Sequence, residues 1–169
     1  MGSLPSYEPR RPDRRTRLVS CSSQAMTATT DLPFPRYVYK ILSEEPPNPL
    51  PHTLPLTPLD KQDGFIHLSA GWRVPQTTAL FFGSYTTIWL LRVDTEVARE
   101  EQARFEWGDP GCVHMYAHDE TGWARMGDGI VVSVRKFDRG PGDEWENVLM
   151  GGDIGLSKQS KNGIESCGP

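Results

Sequence analysis

The stretch Thr86-Thr87-Ile88-Trp89-Leu90-Leu91-Arg92-Val93 decides the fold. β-Branched and aromatic side chains dominate it, as is typical of a strand. Its apolar residues run consecutively rather than alternately, so both faces of the strand are expected to be buried. The sequence therefore predicts a sheet with this segment near its centre.

Shorter segments on both sides of this strand have β patterns of their own. The predicted strands are residues 36–42, 65–68, 104–107, 113–117 and 129–137. Pro75 suits the first turn of a helix that continues over residues 76–82 and ends at Gly83. The polar residues 94–103 can hold a further helical turn. Because strands and helices do not alternate strictly, we predict an α+β domain with a small mixed, largely antiparallel sheet and one main helix.

Proline and glycine contents predict the domain boundaries. Residues 46–58 hold six prolines, so they are expected to form an extended surface loop rather than a helix or a central strand. The Arg- and Ser-rich residues 1–33 are predicted to be a disordered leader, and the Gly-rich residues 140–169 a mostly disordered tail. A single domain is therefore expected over residues 36–139.

The charge is distributed unevenly along the chain. The formal net charge is −4, and residues 1–30 carry five Arg against two acidic residues, which leaves the remainder clearly acidic. An acidic body disfavours a broad nucleic-acid surface, because phosphate contacts need Lys and Arg. No apolar run reaches the length of a membrane span.

Cysteine usage and the leader bear on the compartment. The three cysteines, Cys21, Cys112 and Cys167, are odd in number and irregularly spaced, which favours a reducing compartment over a disulfide framework. A cytoplasmic location is expected. The composition of the leader also fits a transit peptide, in which case the location would be the mitochondrial matrix.

His67 is the first candidate for chemistry. It lies inside the apolar run Gly64-Phe65-Ile66-His67-Leu68-Ser69, where a histidine is often only a hydrogen-bonded core residue. Its position near a sheet end, before a predicted helix start that Ser69 can cap, favours an alternative interpretation. Such a place suits anion binding or acid–base work by an imidazole.

Other candidates follow later in the chain. Glu106 stands between two aromatic residues and is either a partly desolvated acid–base group or a solvent-facing edge residue. His114 and His118 share one face, but no third zinc ligand and no metalloprotease motif accompany them, so no metal is assigned. Cys112, two residues before His114, is either a nucleophile or an incidental small residue.

Several short motifs, in order, resemble the domain of unknown function 952 family. They are Tyr39-Lys40-Ile41, Gly64-Phe65-Ile66-His67-Leu68-Ser69, Val74-Pro75-Gln76-Thr77, Leu90-Leu91-Arg92-Val93-Asp94, Phe105-Glu106-Trp107 and His114-Met115-Tyr116. The hexapeptide is the most specific of them, and the resemblance covers about residues 37–137.

The resemblance implies a fold similar to the ADP-ribosyltransferase and RNA 2′-phosphotransferase group, with a split mixed sheet. NAD or a related nucleotide is the ligand that it implies, although no activity is assigned to the family. The sequence departs from the family pattern at Lys40, which replaces a histidine, at Arg73, which replaces a glutamine, and in Val113-His114-Met115-Tyr116-Ala117, which replaces Pro-His-Leu-Tyr-Gly. Lys40 and Arg73 favour a more cationic site and an anionic ligand.

These observations lead to one site and three hypotheses. The expected catalytic residues are His67, Glu106 and His114, and the expected ligand-binding residues are Tyr39, Lys40, Ser69, Arg73 and Tyr116. The first hypothesis is a transferase-like enzyme acting on a nucleotide or another anionic small molecule. The alternatives are a cofactor-free isomerase, cyclase or lyase of a non-nucleotide metabolite, and a non-catalytic ligand-binding domain.

Overall fold

A computed structural model describes residues 34–117 and 124–151 of the chain. Each β-rich segment of the sequence forms a strand, and the predicted helix and helical turn also form. The strands are β1 (Tyr37–Leu42), β2 (Ile66–Ala70), β3 (Thr87–Asp94), β4 (Ala103–Trp107), β5 (Cys112–Ala117) and β6 (Val131–Asp138). The helices are α1 (Pro58–Asp63), α2 (Val74–Phe81), α3 (Thr95–Glu100) and α4 (Trp145–Gly151), with a 3-10 helix at Gly71–Arg73.

The six strands form one sheet in the order β4-β5-β2-β1-β3-β6. Every neighbouring pair is antiparallel. The α+β class and the antiparallel arrangement are therefore confirmed. The expectation of parallel pairs and of a sheet split in two is wrong for the described residues, because all five neighbouring pairs are antiparallel and the strand order is continuous.

Both faces of the sheet are covered, but unequally. The first face carries Val38, Leu68 and Leu91 in a core that also includes Phe105 of β4. The second face carries a smaller core in which Tyr39, Ile41, Val74, Ile88, Leu90, Trp145 and Leu149 pack together. Helices α2 and α4 cover the part of this second face that β1 and β3 form. The part of the same face that β2, β5 and β4 form is left to hold a site.

Helix α1 corrects the predicted proline-rich loop. Pro58, expected within the loop, is the first residue of the helix, where its missing N–H costs nothing. Thr57 accepts a hydrogen bond from the Asp60 N–H, and the Asp60 carboxylate accepts one from the Thr57 N–H, which together form a capping box. The last proline of the segment is thus the first residue of α1 and not part of the loop.

Helix α4 lies within residues 140–169, which were predicted to be mostly disordered. Residues 145–151 are helical because Trp145 and Leu149 are buried against the second face and the Trp145 indole N–H donates to the Phe82 carbonyl at 2.9 Å. The leader at 1–33 and residues 152–169 of the tail lie outside the described residues. No helix in the described part of the chain has the length and apolarity that crossing a membrane requires.

Candidate functional site

Strand register brings the three predicted catalytic residues side by side. Glu106 of β4 is opposite His114 of β5, and His114 is opposite His67 of β2. Paired residues of antiparallel strands share a face, so all three side chains lie on the second face. The next pair along, Arg104 and Tyr116, lies on the same face. This group, with Phe65, is called the histidine row below.

Asp60 holds His67 in place. Strands β1 and β2 are registered only at Val38–Ala70 and Tyr39–Ser69. Beyond that point Oδ1 of Asp60 accepts the backbone N–H of His67 at 2.9 Å and lies 2.9 Å from its Nδ1. The buried carboxylate therefore takes the place of a strand partner and sets the orientation of the imidazole.

The second ring nitrogen of His67 points the other way. Nε2 lies 3.2 Å from Oδ2 of Asp63, whose side chain is about one-third exposed, and the side chain of His67 is 30% exposed. The two carboxylates differ in exposure, because Asp60 is enclosed and Asp63 borders solvent. Nε2 is consequently the nitrogen that a ligand can reach.

Lys40 does not serve the site as a free cation. Its Nζ lies 2.8 and 2.7 Å from the two carboxylate oxygens of Asp60, and both side chains are almost fully buried. Alternation along β1 places it on the first face, with Val38. The expected ligand-binding role of Lys40 is therefore replaced by an ion pair with Asp60.

The ion pair fixes the charges of both partners. Burial alone would raise the pKa of Asp60, but the charge of Lys40 and hydrogen bonds from His67, Lys40 and Thr57 outweigh burial and lower it to about 2. Burial lowers the pKa of Lys40, and Asp60 partly offsets that effect. The carboxylate beside His67 is consequently ionised at any physiological pH.

His114 is the neutral neighbour of His67. Its ring is stacked on Phe65 with centroids 3.9 Å apart, and the two imidazole rings are 5.8 Å apart. Burial, followed by the charge of His67, lowers the pKa of His114. A Cβ atom on Gly108 would lie 2.6 Å from this ring, so the glycine leaves the space that the imidazole fills.

Glu106 takes the second of its two predicted forms. Its side chain is 48% exposed and forms an ion pair with Arg104, while Phe105 and Trp107 pack with the core of the first face. It is therefore a solvent-facing edge residue and not a desolvated carboxylate. Arg104 also lies over the ring of Tyr116 at 4.6 Å, so the three side chains form one polar edge beside His114.

A second row runs parallel to the first. Register places Cys112, Ser69, Tyr39 and Arg92 next to one another across β5, β2, β1 and β3. The Ser69 hydroxyl donates to Thr77 Oγ1 at 3.3 Å, so it ties β2 to α2 and does not cap a helix as predicted. Burial raises the pKa of Tyr39. Cys112 is a half-buried free thiol.

Arg73 borders this second row. It ends the 3-10 helix, where Trp72 and the Arg73 Cβ pack so closely on Gly111 that a Cβ there would lie 2.6 and 2.7 Å from them. Gly111 has a φ of 83°, which glycine adopts without strain. The turn between β4 and β5 thus fixes the stem of the arginine.

Four site residues were not predicted: Asp60, Asp63, Phe65 and Arg92. A signal for the first was present, since Thr57-Pro58-Leu59-Asp60 has the spacing of a capping box with proline in the first helical turn. His118, considered with His114 as a metal ligand, lies outside the described residues.

Comparisons with known proteins give one family match and two similar solved structures. The family model described as "Protein of unknown function (DUF952)" matches residues 51–123. No curated protein matches the chain. Protein CC0527 from Caulobacter crescentus and a double mutant of it are similar solved structures; each is 26% identical, covers 60% of this chain and 86% of its own, and has a TM-score of 0.48. The match confirms, over residues 51–123, the family resemblance that Gly64–Ser69 and the accompanying motifs predicted.

Proposed function

We propose that this protein is an acid–base enzyme that acts on a small anionic molecule at the histidine row, with His67 as the central proton-transfer group. The observation that carries the proposal is the contact between the buried Asp60 carboxylate and Nδ1 of His67. A carboxylate that holds one ring nitrogen orients the imidazole and leaves the other nitrogen to exchange protons with a ligand.

His67 and His114 have complementary surroundings. His67 faces a carboxylate at each nitrogen, so the protonated ring can donate to both. His114 has a lowered pKa and is therefore neutral at neutral pH. The proposal assigns proton donation to His67 and proton acceptance to His114, with Tyr116 and Arg73 as ligand-binding groups and Glu106 as the partner that holds Arg104.

The family resemblance of the sequence motifs, which implies similarity to ADP-ribosyltransferases and RNA 2′-phosphotransferases, motivates the first reaction class, group transfer from a nucleotide. The test is a thermal-shift screen with NAD, ADP-ribose and a 2′-phosphorylated nucleotide, followed by mass spectrometry of each mixture. A ligand that raises the melting temperature and is converted supports the proposal. Asp60→Asn and His67→Gln should then abolish conversion, whereas the exposed His52→Gln should not.

One observation favours a second reaction class, a cofactor-free isomerase or lyase. Two histidines with opposite proton roles, 5.8 Å apart between ring centroids, suit proton abstraction at one atom and delivery at another. Incorporation of solvent deuterium into a bound metabolite, lost in His114→Gln, would identify this class. Binding without conversion of any ligand, unchanged in both histidine variants, would instead leave a non-catalytic binding domain.

A further inference from the structure

Arg73 and Arg92 differ from the other buried polar residues in their hydrogen bonding. Within residues 34–117 and 124–151, the Nε atoms of Arg73 and Arg92 are the only buried side-chain nitrogen or oxygen atoms that lack a hydrogen-bond partner. A buried donor without a partner destabilises a protein. Two such donors in one native fold therefore call for a functional explanation, such as a bound ligand that accepts their hydrogen bonds.

Arg92 is fixed where it stands. Its guanidinium carbon lies 3.5 Å from the centroid of the Tyr37 ring, which holds the planar group against an aromatic face. Arg92 is registered opposite Ser133 of β6, directly before the register of the two strands shifts. The residue as a whole is only partly buried.

Arg73 approaches the same part of the sheet from above β2. Its Cβ packs on the turn at Gly111, and the next residue, Val74, is buried with Tyr39 in the core of the second face. Tyr39 is registered opposite Arg92 on one side and Ser69 on the other. Arg92 is therefore adjacent to Tyr39 in the sheet, and the 3-10 helix that carries Arg73 lies against β1.

In the described ranges the ion pairs include no carboxylate partner for Arg73 or Arg92, and the nearby Asp94 pairs with Arg36 instead. Two partly buried positive charges without counter-charges are costly, and a bound anion of charge −2 would balance them. Arginine is also the side chain best suited to oxyanions, which it binds in a bidentate manner.

We infer that Arg73 and Arg92 form an oxyanion subsite for a dianionic group, either a phosphate monoester or two carboxylates of one small molecule. The inference rests on the proposed function in that the same ligand would reach the histidine row. Same-face residues two apart on a strand are separated by roughly 7 Å, so the charged group would lie about that far from the atom on which His67 acts.

The experiment measures binding of inorganic phosphate, succinate and acetate by calorimetry to the full chain and to Arg92→Gln, Arg73→Gln and Arg99→Gln. Arg99 is an exposed arginine over Phe34 and Phe105 and serves as the matched control. Phosphate or succinate should bind more tightly than acetate, and each of the first two variants should weaken binding by about tenfold. Arg99→Gln should leave it unchanged.

Further variants separate this inference from the proposed function. His67→Gln should bind phosphate as the unaltered protein does, so a subsite without catalysis would show as binding in the absence of any conversion. Arg92→Met, which removes an unpartnered buried donor, should raise the melting temperature in phosphate-free buffer and abolish the further rise that phosphate gives. Equal affinity for phosphate and acetate, or phosphate binding that survives in both Arg73→Gln and Arg92→Gln, would overturn the inference.

Discussion

Oδ1 of Asp60 lies 2.9 Å from both the backbone nitrogen and the Nδ1 atom of His67. A single oxygen therefore fixes the strand and the imidazole of the same residue. The other carboxylate oxygen is held by Lys40 and by the backbone of Thr57. The short helix α1 thus joins β1 to β2 through one buried carboxylate, and the site and the stability of the fold share that residue.

Loss of the Asp60 charge is expected to be costly. Asp60→Asn keeps the shape but leaves Lys40 buried without a counter-charge, which should lower the free energy of unfolding by about 3 kcal/mol. Urea denaturation followed by circular dichroism measures the change. Asp63→Asn, in the same helix but partly exposed, is the matched control and should cost less than about 1 kcal/mol.

The Lys40–Asp60 pair can also be tested by a double-mutant cycle. Lys40→Met combined with Asp60→Asn removes both charges, so the double variant should be more stable than the sum of the two single losses predicts, by at least about 1 kcal/mol. Strict additivity would show that the two side chains do not act as a pair.

Stability should fall in acid because of Asp60. Its pKa is about 2 in the folded protein, below the ordinary value of 3.8, so the folded state binds the proton less readily than the unfolded state. The resulting stabilisation, about 2 kcal/mol, is complete above the unfolded pKa and is lost as the pH falls towards 2. Urea midpoints measured between pH 7 and pH 2 should show a steeper acid loss for the unaltered protein than for Asp60→Asn. Parallel curves would contradict the assignment.

The strands were predictable because their signal is local. The apolar and β-branched runs at Thr87–Asp94 and Tyr37–Leu42 predict strands by themselves, and this prediction does not depend on which strand lies beside them. Helix α4 was not predicted, because Trp145 and Leu149 stand in a Gly- and acid-rich segment whose composition suggests disorder. Trp145 and Leu149 stabilise the helix only because they pack on the second face of the sheet and because the Trp145 indole donates to the Phe82 carbonyl. These contacts are not visible in the local sequence.

The sequence predicted part of the candidate site, but it did not predict Asp60, Asp63, Phe65 and Arg92 or the contacts that Lys40 makes. His67, His114 and Glu106 were expected to meet, and strand register does bring them together. The ion pair of Lys40 could not be predicted, because its partner Asp60 is twenty residues away in sequence. Asp60 reaches Lys40 at the point where the pairing of β1 with β2 ends. Register and buried charge pairs are tertiary properties, and a single sequence does not display them.

Gly108 should be essential for the position of His114. An added Cβ would lie 2.6 Å from both Cε1 and Nε2 of the ring, so Gly108→Ala must displace the imidazole from its stack on Phe65. We expect a loss of about 1–3 kcal/mol in the free energy of unfolding and a changed NMR titration of His114. Gly151→Ala is the control, because nothing lies within 4 Å of a Cβ there. An unaltered His114 titration in Gly108→Ala would contradict this packing.

Helix α4 should contribute substantially to the stability of the domain. Trp145 is only 1% exposed, packs with the core of the second face and donates to the Phe82 carbonyl. Trp145→Ala therefore removes a large buried side chain and a hydrogen bond, and it should lower the free energy of unfolding by about 3–5 kcal/mol. Met150→Ala, on the exposed side of the same helix, should change it by less than about 0.5 kcal/mol. Urea denaturation of the two variants decides the matter, because similar small losses for both would mean that the helix is not part of the cooperative fold.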